Sequence, residues 1–141
     1  MSSTSNPVNA VTDFLIKSQV QYLATIGLDG RPEVRPFQFM LEEGGRLYFC
    51  TSNQKPVFKE MQEHPYVEFC ASGENLSWLR LNGKVVFSKD LGLKARIQDA
   101  SPIVKSIYQT PDNPAFEVFY LDGAAATITD LSGQPPRTFQ L

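Results

Sequence analysis

Residues 51–55 combine polar side chains in a pattern that could bind an anion. They offer two hydroxyls, two amides and one ammonium: Thr51, Ser52, Asn53, Gln54 and Lys55. Pro56 follows, and proline is favoured at the first position of a helix. The N-terminus of a helix has backbone N–H groups without partners and a favourable dipole, which suit a phosphate. Spacing alone still favours the simpler interpretation, a solvated loop that caps a helix.

A second candidate is the segment RPFQF at 35–39. Arg35 and Gln38 interrupt an otherwise apolar strand, and Pro36 lacks the N–H group that a strand ladder uses. A neighbouring carbonyl is therefore free, and these groups could reach a ligand at the mouth of a barrel. The alternative is an edge strand with one face in water.

A third candidate lies on a later strand, where Trp78, Arg80 and Asn82 alternate along one face. An aromatic ring beside a cation can cap a flat ligand. A half-exposed strand face without a ligand explains the same pattern equally well.

Other chemistries are excluded by what the chain lacks. The single histidine, His64, and the two cysteines, Cys50 and Cys70, are too few for a zinc or iron site, and there is no CxxC pair. The sequence has no credible Ser-His-Asp set, no GxGxxG and no P-loop. We therefore expect no metal, two buried thiols and no assignable catalytic residue.

Composition sets the class of protein. The 141 residues carry a formal net charge of −2 without a long charged block, so neither nucleic acid nor an anionic membrane is an expected partner. No apolar run approaches the roughly 18 residues of a membrane span, and the N-terminus lacks the pattern of a secretory signal. We expect a cytoplasmic protein of one domain, residues 1–141.

The elements that position these candidates follow from hydrophobic periodicity and turn residues. Asn6 and Pro7 begin a helix to about Ser18, with Val8, Val11 and Leu15 on one face. Strands are predicted at 20–26, 33–41, 46–51, 66–72 and 75–90, with Gly83 as a bulge or close approach. Further helices are predicted at 56–62, from Asp90 and from Ser101. A final hairpin joins 116–121 to 124–131 through Asp122-Gly123, and extended tails cover 1–5 and 132–141.

About seven strands in meanders, linked by hairpin turns or a short helix, argue for an antiparallel barrel. The order of the segments also resembles the FMN-binding split-barrel family, whose best-known members are the pyridoxamine 5′-phosphate oxidases. The closer likeness is to the small flavoproteins grouped with nitroimidazole reductases. It extends from about Val8 to Leu131 and depends most on FCTSNQKPVFKEMQEHPYVEFC and LRLNGKVV.

The resemblance implies a mainly β (α+β) fold: a six-stranded antiparallel split β-barrel with short flanking helices. It also implies a homodimer with FMN in a groove at the subunit interface. By this resemblance one strand runs along the flavin ring: Arg35, Pro36, Phe37 and Gln38. The resemblance also implies that the strand end formed by Cys50 and Thr51 lines the flavin. It implies that the loop and the helix start hold the phosphate: Ser52, Asn53, Gln54, Lys55, Pro56 and Val57. Trp78 corresponds to a position near the ring or the ribityl chain.

The sequence also departs from the oxidases. Their Arg-Lys pair near the phosphate corresponds to Pro56 and Val57, which leaves Lys55 with Lys59 one helical turn later. Their C-terminal substrate segment has no counterpart in SGQPPRTFQL. Oxidation of pyridoxamine 5′-phosphate is therefore not expected.

The resemblance leads us to expect an FMN-dependent oxidoreductase that reduces a small electron-poor substrate by hydride transfer through flavin N5. Arg35 or Gln38 is the expected donor near N1 and O2. The alternatives are a non-catalytic protein that binds flavin, deazaflavin or haem on the same barrel, and a structural dimer with an empty groove.

Overall fold

A computed structural model describes residues 7–141, and the predicted tail at 1–5 and the Asn6 cap lie outside that range. The described residues form four α-helices: α1 Pro7–Ser18, α2 Pro56–Glu63, α3 Leu91–Ala100 and α4 Pro102–Tyr108. They also form eight strands: β1 Gln21–Ile26, β2 Pro32–Phe37, β3 Leu41–Glu43, β4 Arg46–Ser52, β5 Tyr66–Ser72, β6 Trp78–Ser88, β7 Phe116–Thr129 and β8 Arg137–Gln140. A 3₁₀ turn, Glu74–Leu76, precedes β6.

All strand pairs are antiparallel, in the order β2-β1-β5-β6-β7-β4-β3, with β8 on β7. This arrangement confirms the predicted mainly β split barrel, with two short strands more than the six expected. Within residues 7–141 the sheet does not close, because its edges β2 and β3 do not pair. Residues 38–40 join these two edges and therefore cross the split in the barrel.

The core lies on the concave face of the sheet, where alternate residues of each strand are buried. Phe49 and Phe69 stack there with ring centroids 4.1 Å apart. Helix α1 covers one end of this core with Val8, Val11 and Leu15, as their spacing predicted. Within residues 7–141 no helix is long and apolar enough to span a membrane.

The predicted final hairpin is wrong. Residues Phe116–Thr129 form one strand that pairs with β6 along its length, so Asp122-Gly123 makes no turn. Gly123 has φ +61° and lies where the β6–β7 register shifts between Asn82 and Lys84. The Asp-Gly pair therefore makes a bulge. Gly83 is the close approach that was predicted, because a Cβ there would lie 3.0 Å from the Asp122 carbonyl oxygen.

Several boundaries also differ from the predictions. The strand expected at 33–41 ends at Phe37 and resumes as β3, so Glu42 and Glu43 lie in a strand and the turn is Gly44-Gly45. The strand expected from residue 75 begins at Trp78. The C-terminal segment is extended as predicted, but Arg137–Gln140 pairs with β7 as β8.

The two predicted helix starts after β6 are confirmed by their caps. The Asp90 carboxylate accepts hydrogen bonds from the N–H groups of Gly92 and Leu93 at the start of α3. The Ser101 hydroxyl accepts one from the Val104 N–H at the start of α4.

One buried polar side chain, Gln21, fixes the segment that crosses the split. Its Nε2 donates to the Leu15 carbonyl oxygen at 2.9 Å and to the Ser18 hydroxyl at 3.1 Å, both near the end of α1. Its Oε1 accepts from the Phe39 N–H at 2.6 Å. Gln21 is fully buried, and these bonds join α1, β1 and residues 38–40.

We predict that Gln21→Leu destabilises the protein by about 2–4 kcal/mol, because it leaves the buried Phe39 N–H and Leu15 carbonyl without that partner. Urea denaturation measures the change. Gln62→Leu on the exposed side of α2 is the control and should cost less than about 0.5 kcal/mol. Equal stability of the two variants would contradict the role of Gln21.

Candidate functional site

A cleft of about 270 Å³ opens where β2 ends, beside the end of β4 and under α4. We call it the β4 cleft. Six of its lining residues were predicted from sequence: Pro36, Phe37, Gln38, Cys50, Thr51 and Lys55. Five were not: Val20, Met40, Val104, Ile107 and Tyr108. Apolar side chains form most of the wall, which suits a flat ring.

A second cleft of about 290 Å³ lies at the start of α2, and we call it the α2 cleft. Its lining residues are Glu33, Val34, Arg35, Lys55, Pro56, Val57 and Glu60. Lys55 lines both clefts. Most of the residues predicted to contact the flavin ring therefore line the β4 cleft, and the predicted helix start lines the α2 cleft. Lys55 is the cation that the two clefts share.

The loop before α2 is held by hydrogen bonds to residues 114–117 and by bonds within the loop itself. Asn53 donates from Nδ2 to the Pro114 carbonyl oxygen at 2.7 Å and to Glu117 Oε2 at 2.9 Å. The Ser52 hydroxyl accepts from the Gln54 N–H at 3.1 Å. Ser52, Asn53 and Gln54 line neither cleft, so of the predicted phosphate loop only Lys55 faces them.

Lys55 is exposed, and its ammonium makes no hydrogen bond or ion pair within residues 7–141. It is the N-cap residue of α2, and no side chain caps the first turn of that helix. A free cation therefore stands beside a helix start that has no side-chain cap. This combination suits an anion better than either feature alone.

Arg35 lines the α2 cleft and not the β4 cleft, where it was expected beside the flavin ring. Its Nη2 donates to Glu60 Oε1 at 2.6 Å, and its Nη1 donates to Thr25 Oγ1 at 2.7 Å and to the Leu23 carbonyl oxygen at 3.2 Å. Thr25 also donates to Glu60 Oε1 at 2.6 Å. Because the Glu60 side chain is only 7% exposed, this network holds the guanidinium in one position.

Burial raises the pKa values of the thiol and the phenol that line the β4 cleft. It raises the pKa of the Cys50 thiol to about 12, although the positive charge of Lys55 acts in the opposite direction. Burial, with a smaller effect from Cys50, also raises the pKa of Tyr108, while a hydrogen bond with Ser52 lowers it. At neutral pH, Lys55 is therefore the one charged lining residue of this cleft.

Thr51 carries an unsatisfied polar atom in this wall. The residue is 3% exposed, and its Oγ1 is buried without a hydrogen-bond partner in the protein. Such atoms are rare in native structures, because an unpaired buried hydroxyl costs about 1–3 kcal/mol. An unpaired hydroxyl in the wall of a cleft is a candidate ligand contact.

Trp78 lies apart from both clefts. It is half-buried at the start of β6, between Ser72 of β5 and Thr129 of β7. The residues missed by sequence reasoning belong mainly to α4. The Ser101-Pro102 signal identified this helix, but no periodicity shows that it packs over the end of β4.

A family model described as pyridoxamine 5′-phosphate oxidase matches residues 8–130. The chain belongs to the pyridoxamine 5′-phosphate oxidase family. This finding confirms the family predicted from the sequence. No curated protein matches the chain significantly. Within residues 7–141, no three His, Cys, Asp or Glu side chains come together as a metal site.

Solved structures agree with the family. A NimC/NimA family protein of Clostridium acetobutylicum has 32% identity and a TM-score of 0.88, over 96% of this chain and 92% of its own. An FMN-binding, pyridoxamine 5′-phosphate oxidase-related protein of Nostoc punctiforme has 20% identity and a TM-score of 0.66, over 97% and 91%. A haem-binding protein of Mycobacterium smegmatis has 16% identity and a TM-score of 0.71, over 99% and 60%. The last two show the shared fold alone.

We predict that Thr51→Val raises the stability of the ligand-free protein by about 1 kcal/mol, because it removes a buried hydroxyl that has no partner. Thr25→Val is the matched variant, since Thr25 is 4% exposed and hydrogen-bonded to Glu60. It should destabilise by about 1–2 kcal/mol. Urea titrations measure both, and a loss of stability in Thr51→Val would show that its hydroxyl has a partner.

Proposed function

We propose that this member of the pyridoxamine 5′-phosphate oxidase family binds FMN, with the flavin ring in the β4 cleft and the phosphate in the α2 cleft. The observation that carries the proposal is Lys55, an unpaired cation at the junction of an apolar cleft and an uncapped helix start. FMN has this same division, a flat ring at one end and a phosphate at the other. The FMN-binding structural neighbour supports the assignment.

At the phosphate end, Arg35 supplies a second cation from a strand. Three of the five guanidinium N–H groups are engaged by Leu23, Thr25 and Glu60. The remaining two are available to a phosphate oxygen. Glu60 offsets one positive charge, so Lys55 decides the net attraction for a phosphate.

At the ring end, residues 36–38 and the Cys50-Thr51 strand end both line the cleft and would contact the flavin ring. The unpaired Thr51 hydroxyl is the candidate partner for a polar edge of the ring. Cys50 stays a neutral thiol, because burial raises its pKa to about 12. It therefore packs against a ring without acting as a nucleophile.

The proposed activity is that of an oxidoreductase. Bound FMN would supply hydride transfer between a nicotinamide reductant and a small electron-poor substrate. The chain's own residues bind and orient the cofactor and keep part of the ring free of water. We assign no general acid or base.

The alternative function is haem binding, which the fold neighbour from Mycobacterium smegmatis brings into consideration. The one histidine argues against it. His64 is half-buried at the C-terminus of α2 and lines neither cleft.

The visible spectrum of the purified protein tests these functions. Flavin bands that remain after gel filtration, and that bleach with NADH or NADPH and return with a nitroaromatic or quinone acceptor, would support the enzyme. Flavin bands without turnover would indicate a carrier, and a Soret band would indicate haem. A colourless protein that also fails to bind added FMN would refute the proposal.

We predict that Lys55→Ala weakens FMN binding about tenfold and leaves riboflavin binding nearly unchanged, because only FMN carries the phosphate. Fluorescence titration of each flavin measures the two dissociation constants. Lys59→Ala is the matched control, an exposed lysine one turn later that lines neither cleft. Equal losses for both flavins would remove Lys55 from the phosphate site.

We also propose a homodimer through the outer face of β1, β2 and β5. Tyr22, Ile26 and Tyr66 expose 50%, 44% and 69% of their surface there. Cross-strand register places Tyr22 beside Pro36 and Ile26 beside Pro32, so the apolar side chains are contiguous. A contiguous exposed apolar face of this kind marks an association surface. The depression of about 710 Å³ between Ala24 and Gly123 lies on this face.

Tyr66→Asp should therefore shift the protein toward monomer in light scattering after gel filtration, because it places a charge in the apolar contact. Leu131→Asp is the control, since Leu131 has a similar exposure of 67% and lies outside this face. A wild-type protein that runs as a monomer, or two variants with the same mass, would overturn the dimer.

A further inference from the structure

The α2 cleft contains carboxylates as well as cations. Four of its seven lining residues are of charged types, the carboxylates of Glu33 and Glu60 and the cations of Arg35 and Lys55. The formal charges of these four side chains therefore balance. A phosphate bound in this cleft would meet two negative groups in addition to the two cations.

Two of the four charged side chains form one partly buried ion pair. Arg35 Nη2 lies 2.6 Å from Glu60 Oε1, and the two side chains are 23% and 7% exposed. The Thr25 hydroxyl donates to the same carboxylate oxygen. Because the charges of this pair offset each other, its attraction for an anion at a distance is small. The pair can orient a phosphate oxygen, and the attraction itself depends on the other two side chains.

The other two, Lys55 and Glu33, are both exposed and unpaired. Neither side chain makes a hydrogen bond or an ion pair within residues 7–141. The Lys55 ammonium therefore attracts a phosphate at full charge, and the Glu33 carboxylate repels it at full charge. The balance between these two exposed groups decides how strongly the α2 cleft favours a phosphorylated ligand.

The strand register places Glu33 on the same face as the Arg35 network. Glu33 lies two residues before Arg35 on β2, so their side chains leave the strand on the same face. Its cross-strand partner on β1 is Thr25, the residue that hydrogen-bonds to both Arg35 and Glu60. Residues directly opposite in paired strands share a face. The Glu33 carboxylate is thus carried on the face of β2 that lines the α2 cleft.

We infer that Glu33 is a specificity-determining residue of the proposed flavin site. Its carboxylate opposes the attraction of Lys55 for a phosphate and so lowers the preference of the protein for FMN over riboflavin. The ring and the ribityl chain are the same in both flavins, and only the phosphate is repelled by this charge. FMN therefore exchanges with solution more readily than it would from a cleft without Glu33. This inference rests on the proposed flavin site, and it adds the residue that limits the affinity for the phosphate.

Glu33→Gln tests the inference, because it removes the charge and keeps the size of the side chain. The variant should bind FMN about fivefold more tightly at low ionic strength, since the phosphate carries nearly two negative charges at neutral pH. Its dissociation constant for riboflavin should stay within about twofold of the wild-type value. Fluorescence titration of each flavin measures both constants. Unchanged FMN binding in Glu33→Gln would overturn the inference.

The dependence on ionic strength separates an effect of charge from an effect of shape. In the wild type, attraction and repulsion oppose each other, so the dissociation constant for FMN should change less than about twofold between about 20 and 200 mM NaCl. In Glu33→Gln the attraction of Lys55 is unopposed, and FMN binding should weaken about threefold over the same range. A gain in FMN affinity that is equal at both salt concentrations would assign the effect to shape and overturn the inference.

Glu63→Gln is the matched control. Glu63 is an exposed residue at the end of α2 that lines neither cleft, and its substitution removes the same charge from the protein. It should leave both dissociation constants within about twofold. Glu33→Asp keeps the charge and should retain the wild-type preference between the two flavins. Equal effects of Glu33→Gln and Glu63→Gln would show that the net charge of the protein is responsible and not the α2 cleft.

The two proposals fail separately. Wild-type protein that binds FMN, with no gain in Glu33→Gln, would overturn the role of Glu33 and leave the flavin site standing. FMN binding that is measurable only in Glu33→Gln would support the role of Glu33. Failure of both proteins to bind either flavin would refute the proposed cofactor and the inference with it.

Discussion

The hydrogen bonds of the buried Gln21 side chain hold together the part of the molecule on which the proposed function depends. The sheet stays open between β2 and β3, and residues 38–40 cross that gap outside either strand, with one backbone hydrogen bond to the sheet, from the Met40 N–H to the Tyr48 carbonyl oxygen. Gln21 supplies a partner for Phe39 and fastens the same segment to the end of α1. Because Gln38 and Met40 line the β4 cleft, the position of one buried amide influences the geometry of that cleft. Where β2 and β3 do not pair, the residues that connect them are thus available to line a cleft.

The two clefts of the proposed flavin site differ in their charge. Lys55 and Arg35 bring positive charge to the α2 cleft, where Glu60 compensates part of it. Lys55 alone is charged in the β4 cleft. A ligand with one anionic end therefore has one favourable orientation across the two clefts.

Much of the fold was predictable, because the local sequence decides it. The caps at Asp90 and Ser101 and the apolar spacing in α1 are local patterns, and each was predicted correctly. The role of Asp122-Gly123 was predicted wrongly, because the same dipeptide occurs both in hairpin turns and in bulges. The choice depends on β6, a partner about forty residues away in sequence. The site divides in the same way: the strand ends that line the β4 cleft were predictable, whereas Tyr108 and Ile107 reach it through packing of α4 that no periodicity encodes.

Arg35 lies on β2 and not in the loop before α2, and its ion pair with Glu60 explains how it can still be a cation of the α2 cleft. A guanidinium free to move would lose side-chain entropy on binding a phosphate, and a buried one without a partner would be costly. Glu60 and Thr25 remove both costs, since they fix Arg35 in place and neutralise it while two of its N–H groups stay unused. The same carboxylate lowers the net attraction for an anion. In the proposed site, Lys55 is exposed and unpaired and would supply the attraction for an anion, because the charge of Arg35 is already offset by Glu60. Arg35 would then orient the phosphate and Lys55 would attract it.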